Sequence, residues 1–307
     1  MNIFEQLSDI LCVDANELMD FASTSPHRYK VYTIAKRNSN KRRLIAHPSK
    51  ELKFIQRILI KILEPKLKVN NVAHAYIKDK SIKTNAMQHV NSKYLLKMDL
   101  ENFFPSITPN LFFSCLTKSG VEITERDKEL LTGFLFWKPR HSYKLLLSIG
   151  APSSPLVSNF ILNSLDEELS VYCESNKIKY TRYADDLTFS TNVKDILFSL
   201  PEVVSESLYN NYNGDIKVNK DKTIFSSKGF NRHVTGIVLT NDNVLSIGRE
   251  KKRVISSTIH KLKLGALDDN EVNQLQGIFA HACFIEPDFY NRMLKKYGAE
   301  TLNKIKK

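Results

Sequence analysis

Apolar residues recur at helical spacing through the first 26 positions, at Ile3, Leu7, Ile10 and Leu11 and again at Leu18 and Phe21. That spacing predicts helix as far as Ser25-Pro26. The segment RYKVYTIAKRNSNKRRLIAHP then predicts two short strands around the polar turn Asn38-Ser39-Asn40, with Pro48 closing the second. Such a hairpin would be strongly basic. Helical period returns over residues 49–66 through Leu52, Ile55, Ile58, Leu59 and Ile62.

YLLKMDL, residues 94–100, alternates as a strand does: Leu96, Met98 and Leu100 fall on one face, and Leu95, Lys97 and Asp99 on the other. Asp99 therefore emerges at the strand's end. After GAPSSP, the spacing of Leu156, Phe160 and Leu165 predicts a helix over 155–169, capped by Ser154 and with Pro155 in its first position. IKYTRYADDLTFS, residues 178–190, reads as a hairpin carrying Asp185-Asp186 at its tip, and HVTGIVLT with VLSIG reads as another around Asn241-Asp242-Asn243. From Arg249 onward the pattern is helical and basic, with breaks expected at Gly265 and Pro287.

Composition narrows this picture. With 42% apolar and 25% charged residues over 307 positions, the chain is globular and long enough for one large domain or two ordinary ones. It has no run of 18 apolar residues and no cationic start followed by an apolar segment, so the expected address is the cytoplasm, without a membrane partner. The net charge of +12 favours a polyanionic partner. Cys12, Cys115, Cys173 and Cys283 form no CxxC pair and are expected to be reduced, mostly buried thiols.

The informative chemistry lies in the carboxylates. Adjacent Asp185 and Asp186 repel each other unless a cation lies between them. Hard oxygen ligands of this kind suit Mg²⁺, which takes one or two carboxylates and completes its shell with water and substrate phosphate. Two such ions can activate an attacking hydroxyl and neutralise a leaving oxygen. A basic chain bearing this site points to phosphoryl transfer on nucleic acid. A DD pair alone is an ordinary turn, but here RYADDLTFS, MDLENFFPSI and GAPSSPLVSN occur in one sequence.

On these motifs the chain resembles a reverse transcriptase of the bacterial retron type. YADD at 183–186 matches the polymerase tetrad, DLENFFPSI at 99–107 resembles the first catalytic motif, and GAPSSPLVSN at 150–159 is similar to the loop and helix between them. NAMQH at 85–89 and VTG at 234–236 resemble two retron elements, and GREKKR at 248–253 resembles the start of their thumb. The resemblance implies an α+β right-hand polymerase fold: N-terminal helix and fingers over 1–98 with part of 107–148, a palm of antiparallel strands backed by helices over 99–240, and a helical thumb over 241–307.

It further implies two Mg²⁺ ions on Asp99 and Asp185, with Asp186 beside them, the Leu100 carbonyl as an extra ligand, and deoxynucleotide triphosphates as substrates. Phe104 would lie under the incoming sugar and exclude a 2′-hydroxyl; Lys41 and Arg43 would grip triphosphate; Gly150 would allow close approach of the nucleotide. In this chain Ser148-Ile149-Gly150 stands where the family has Pro-Gln-Gly, removing the Gln side chain. Lys222 resembles the lysine near the leaving pyrophosphate. Asn85, His89, Thr235, Gly236, Arg249, Lys251, Lys252 and Arg253 are the candidate nucleic-acid contacts, although Asn85 and His89 read equally well as local scaffolding, and Phe134, Phe136 and Trp137 as core. The expected reaction copies part of a structured noncoding RNA into single-stranded DNA, primed from an internal RNA 2′-hydroxyl, leaving a branched RNA–DNA product. An effector protein and a role in antiphage defence are expected by resemblance. The alternatives are a group II intron-like or other defence-associated polymerase, disfavoured by the absence of a maturation domain after the thumb, and a non-catalytic scaffold restraining a toxic effector.

Overall fold

The computed structural model describes residues 2–35 and 42–306; Lys41 and the Asn38-Ser39-Asn40 turn lie outside the described residues. The expected first helix is two, α1 (Ile3–Leu11) and α2 (Ala15–Thr24). Cys12 adopts a left-handed conformation that ends α1, and the Asp14 carboxylate accepts from the Asn16 and Glu17 amides to start α2. Strands β1 (Tyr29–Ala35) and β2 (Arg42–Pro48) form the expected antiparallel hairpin, Tyr29 facing Pro48 and Ala35 facing Arg42. Helix α3 (Lys50–Leu63) follows, capped by Ser49, and α4 (Ile82–His89) begins with a reciprocal Ser81–Thr84 capping box.

The central sheet is built from β3 (Tyr94–Asp99) and from strands reached after α5 (Phe103–Ser106), α6 (Pro109–Lys118), α7 (Glu125–Leu135), the short pair β4 (Phe136–Trp137) and β5 (Leu146–Leu147), α8 (Ser154–Ile161) and α9 (Asn163–Ser175). These strands are β6 (Lys179–Tyr183), β7 (Asp186–Thr191) and, past α10 (Leu200–Tyr212), β8 (Ile224–Ser227). Their order is β6-β7-β3-β8, antiparallel throughout. The predicted alternation of β3 is borne out: Leu96, Met98 and Leu100 enter a core with Leu165 and Leu169 of α9, whereas Leu95 enters a separate core on the opposite face. The helix after GAPSSP starts one residue earlier than expected, so Ser153 precedes it, Ser154 is its first residue and Pro155 its second; it breaks at Leu162 into α8 and α9. Phe134, Phe136 and Trp137 are buried core residues.

The last third contains β9 (Arg232–Val234), β10 (Ile237–Leu239) and β11 (Leu245–Ser246), then α11 (Arg249–Lys263), α12 (Asp269–Ile285), α13 (Asp288–Tyr297) and α14 (Ala299–Lys306). HVTGIVLT, expected as one arm, folds back at Thr235-Gly236, where both residues have positive φ (47° and 78°). A two-residue hairpin turn needs that geometry. Val234, Ile237 and Leu239 share the second core with Ile255, Ile259, Leu275 and Phe279 of the helices and with Ala86 of α4. The small sheet thus packs with the thumb helices, so the apolar grouping draws 232–240 toward the thumb. Cys115 and Cys173 are buried as expected; Cys12 is exposed and Cys283 half-buried, and all four are free thiols. Among the described residues no helix is long and apolar enough to cross a membrane. Mixed helix and antiparallel sheet in this arrangement is the α+β fold the sequence predicts.

Candidate active site

Three strands place the carboxylates. Asp99 ends β3 directly opposite Asp186, the first residue of β7, and Asp185 occupies the β6–β7 turn with its carbonyl accepting from the Leu100 amide at 3.1 Å. Directly opposed residues of an antiparallel pair point to the same side of the sheet. The Asp99 carbonyl accepts from Asn219 at 2.7 Å, tying β3 to the segment that carries Lys222, whose Nζ donates to Asp99 Oδ2 at 2.8 Å. The side chain of Leu100 is buried in the core, so only its backbone can serve the site.

This crowding shows in the titration of the acids. Burial and then the Asp99 charge raise the Asp185 pKa above the usual carboxylate range. Asp186 is pushed up to about 6 by surrounding protein and then by the charges of Asp185 and Asp99, against which Lys222 and Lys97 act. A bound cation would relieve that repulsion. Among the described residues no three His, Cys, Asp or Glu groups are gathered tightly enough to hold a metal ion by themselves. The donor set nevertheless fits a hard divalent ion that shares one or two carboxylates and draws its remaining ligands from water and a triphosphate. Asp99 and Asp185, with the Leu100 backbone, are the groups that would hold it.

Sequence reasoning missed the apparatus that holds the acidic turn. Arg182, wholly buried, donates to both carboxylate oxygens of Asp166 through Nε (2.9 and 3.0 Å) and to Oδ2 through Nη2 at 2.5 Å. Its Nη1 reaches Asn159 Oδ1 at 2.9 Å and the Ala184 carbonyl at 3.1 Å. Ala184 is the turn residue with positive φ (56°), so the guanidinium fixes the strained step immediately before Asp185. Tyr180 also donates to Asp166, and Asn159 Nδ2 donates to the Ala75 carbonyl at 3.0 Å. The available signal was Arg182 in the core-facing phase of a strand and Asp166 inside the apolar stripe Leu165, Leu169, Cys173 of α9. A buried cation requires a buried anion.

Around the acids, Arg43 is exposed on β2 and lowers the Asp185 pKa through its charge, so fingers hairpin and palm face one site. Lys41 lies outside the described residues. Phe103 is core, while Phe104 is half-buried and packs edge-on against it at 5.5 Å. Gly150 has φ +127° and its Cα lies so near β2 that an added Cβ would stand 3.0 Å from the Ala46 carbonyl. Its glycine is therefore explained by packing against the fingers, and the adjacent Ile149 carbonyl accepts from Ala46.

Two expected nucleic-acid contacts are corrected. Asn85 and His89 share a face of α4 but are wholly buried, leaving no surface for direct contact. The His89 ring bonds Ser190 and Thr181, both at 2.7 Å, and burial lowers its pKa to about 3. His89 thereby fastens α4 to the sheet. The Thr235 hydroxyl donates to the Ile82 carbonyl of α4, while Gly236 is exposed and its carbonyl accepts from Lys251 at 3.3 Å. Lys252 is engaged with Glu286 at 2.8 Å, and Glu286 also accepts from Ser246 and Arg292. Arg249 and Arg253 remain exposed on α11.

Comparison with known proteins fits this geometry. The family model for reverse transcriptase (RNA-dependent DNA polymerase) matches residues 34–255. The chain is 47% identical to the retron Ec83 reverse transcriptase of Escherichia coli, over 91% of this chain and 90% of that protein. It is 36% identical to the retron Ec73 reverse transcriptase (94% of each) and 33% identical to the retron Ec86 reverse transcriptase (100% and 94%), both also from Escherichia coli. A palm sheet that pairs Asp99 with the YADD turn, joined to relatedness along nearly its whole length, makes this chain an RNA-directed DNA polymerase, a member of the reverse transcriptase family and within it of the bacterial retron reverse transcriptases.

Proposed function

We propose that this polymerase copies part of its own structured noncoding RNA into single-stranded DNA, primed from an internal RNA 2′-hydroxyl, in the cytoplasm and within an antiphage defence system that includes an effector protein. The observation that carries the catalytic half of this reading is the register that sets Asp99 against Asp186 with Asp185 in the adjoining turn. The RNA half rests on kinship with retron enzymes and on the net charge of +12.

In the reaction, the primer hydroxyl oxygen bonds the α-phosphorus of a deoxynucleoside triphosphate, the bond to pyrophosphate breaks, and the hydroxyl proton passes to solvent water. Two Mg²⁺ ions, when bound, supply Lewis-acid activation of that hydroxyl and neutralise the departing oxygen. Asp99 and Asp185 hold the reacting groups in register, and Asp186 adds negative charge that favours cation occupancy. Lys222 brings a cation into the same cluster, which suits it to offset charge on pyrophosphate. Arg43 faces the site from the fingers and binds triphosphate oxygens; Phe104 excludes a ribose 2′-hydroxyl.

The test is purification from the native host and analysis of bound nucleic acid before and after ribonuclease. A DNA strand whose 5′ end stays attached to an RNA residue is the expected result. RNA alone, with no deoxynucleotide incorporated in Mg²⁺, overturns the reading. Asp185→Asn is expected to abolish synthesis while leaving RNA retention near the parent level.

A further inference from the structure

The loop between α3 and α4 holds a residue that neither the motifs nor the packing explains. Tyr76 has φ +62° and is 57% exposed. A bulky L side chain in that conformation is strained, and glycine would fill the turn at lower cost. Strain of this kind persists only where the surroundings over-determine it, and here they do. Ala73 bridges to Arg182 in parallel fashion, with the His74 amide donating to the Arg182 carbonyl at 2.7 Å and the Arg182 amide to Val72 at 2.8 Å. Asn159 holds the Ala75 carbonyl, Lys80 donates to the Ala73 carbonyl at 3.0 Å, and the His74 ring bonds Thr84.

The frame that fixes Tyr76 is thus the same Arg182–Asn159 assembly that fixes the acidic turn. The ring itself buries little: it is excluded from both apolar cores. Its surroundings mark its position. The hydroxyl titrates above the ordinary tyrosine range because it is partly screened from water and because the Asp185 charge lies close, followed by Tyr183, while Arg43 on β2 acts in the opposite sense. The geometry sets it beside the acidic turn: Asn159 holds the Ala75 carbonyl and accepts from Arg182, which also holds the Ala184 carbonyl one residue before Asp185, so Tyr76 stands next to the site where the proposed reaction seats its deoxynucleotide.

We propose that Tyr76 is a substrate-contacting residue whose ring packs against the base of the incoming deoxynucleotide, and that Asn159 and Arg182 are the positioning residues that present it. An aromatic ring suits this duty because every base has a π-face, so contact is tolerant of sequence, as copying requires. The inference rests on the polymerase reading and refines its nucleotide site.

Primer extension on poly(rA) with oligo(dT) and varied dTTP tests it, using the full chain. Tyr76→Gly removes the ring and relieves the backbone, so it is expected to melt no lower than the parent while raising the KM for dTTP about tenfold with kcat within about threefold, since one stacked base carries on the order of a tenfold in affinity. Tyr76→Phe keeps the ring and is expected to restore the parental KM. A Tyr76→Gly enzyme with KM within twofold of the parent overturns the proposal, as does a lowered melting temperature accompanied by equal losses at all dTTP concentrations. Failure of this kind leaves the polymerase reading intact, because the parent enzyme still incorporates deoxynucleotide in the same assay.

Discussion

At the scale of single residues, the site distinguishes groups that are fixed from groups that are offered. Phe103 is sealed in the core, and Phe104 lies edge-on against it with part of its ring uncovered. A ring braced from one side and open on the other can act as a wall. Phe104→Ala is expected to raise the relative use of ribonucleotides about tenfold, on the order of 1.4 kcal/mol of lost discrimination. Competition of labelled rNTP against dNTP in primer extension checks this, and unchanged sugar selectivity removes the assignment. Asp99, Asp185 and Asp186 could be located from sequence because strand alternation and a turn dipeptide fix where their side chains emerge, and Phe104 through the resemblance of its motif to the family's. Tyr76 could not: nothing local marks it, and its strain is visible only once the Asn159 and Arg182 tethers are in view.

At the scale of elements, α4 is the piece whose chemistry its motif left open. Its Ser81 cap went unread in the sequence, and whether Asn85 and His89 face outward or inward depends on long-range packing. His89 is wholly buried between Ser190 and Thr181, and its pKa near 3 against an ordinary 6.5 means that the folded form refuses a proton the unfolded chain accepts. The sign follows: the stability His89 lends is full above pH 6.5 and is lost as pH falls toward 3. Between pH 7 and 5 its share of the loss is about 2 kcal/mol. Unfolding free energies from urea titration at these two pH values are expected to converge by that amount in His89→Gln relative to the parent. The split of the first helix at Cys12 was illegible for a simpler reason, since both halves carry the same apolar period and only the left-handed residue between them breaks it.

At the scale of the whole molecule, two apolar cores lie on opposite faces of β3, one under the palm and fingers and one under the thumb. The order of fingers, palm and thumb was legible through the motifs that resemble the family's. The allegiance of β9–β11 was not, because short strands reveal nothing of which core they join. The basic character of α11 was also evident, but its division of labour was not: Lys252 is spent on Glu286, whereas Arg249 and Arg253 stay exposed. Removing both arginines is expected to lower the slope of log affinity for RNA against log salt by about 1.5, at ~0.7 to 0.9 per released counterion. Lys252→Gln is expected to leave that slope within error while reducing thermal stability. Filter binding of an RNA hairpin from 50 to 300 mM salt separates the two outcomes.

The trio Asn159, Asp166 and Arg182 constrains how such a chain can diverge. Each member satisfies another's buried polar group, so changing any one strands a charge or an amide inside the protein. A lineage can therefore leave this arrangement only by altering the partners together. The space around the YADD hairpin is consequently an evolutionary bottleneck set by interior wiring, as narrow as the one that chemistry imposes on the acids themselves.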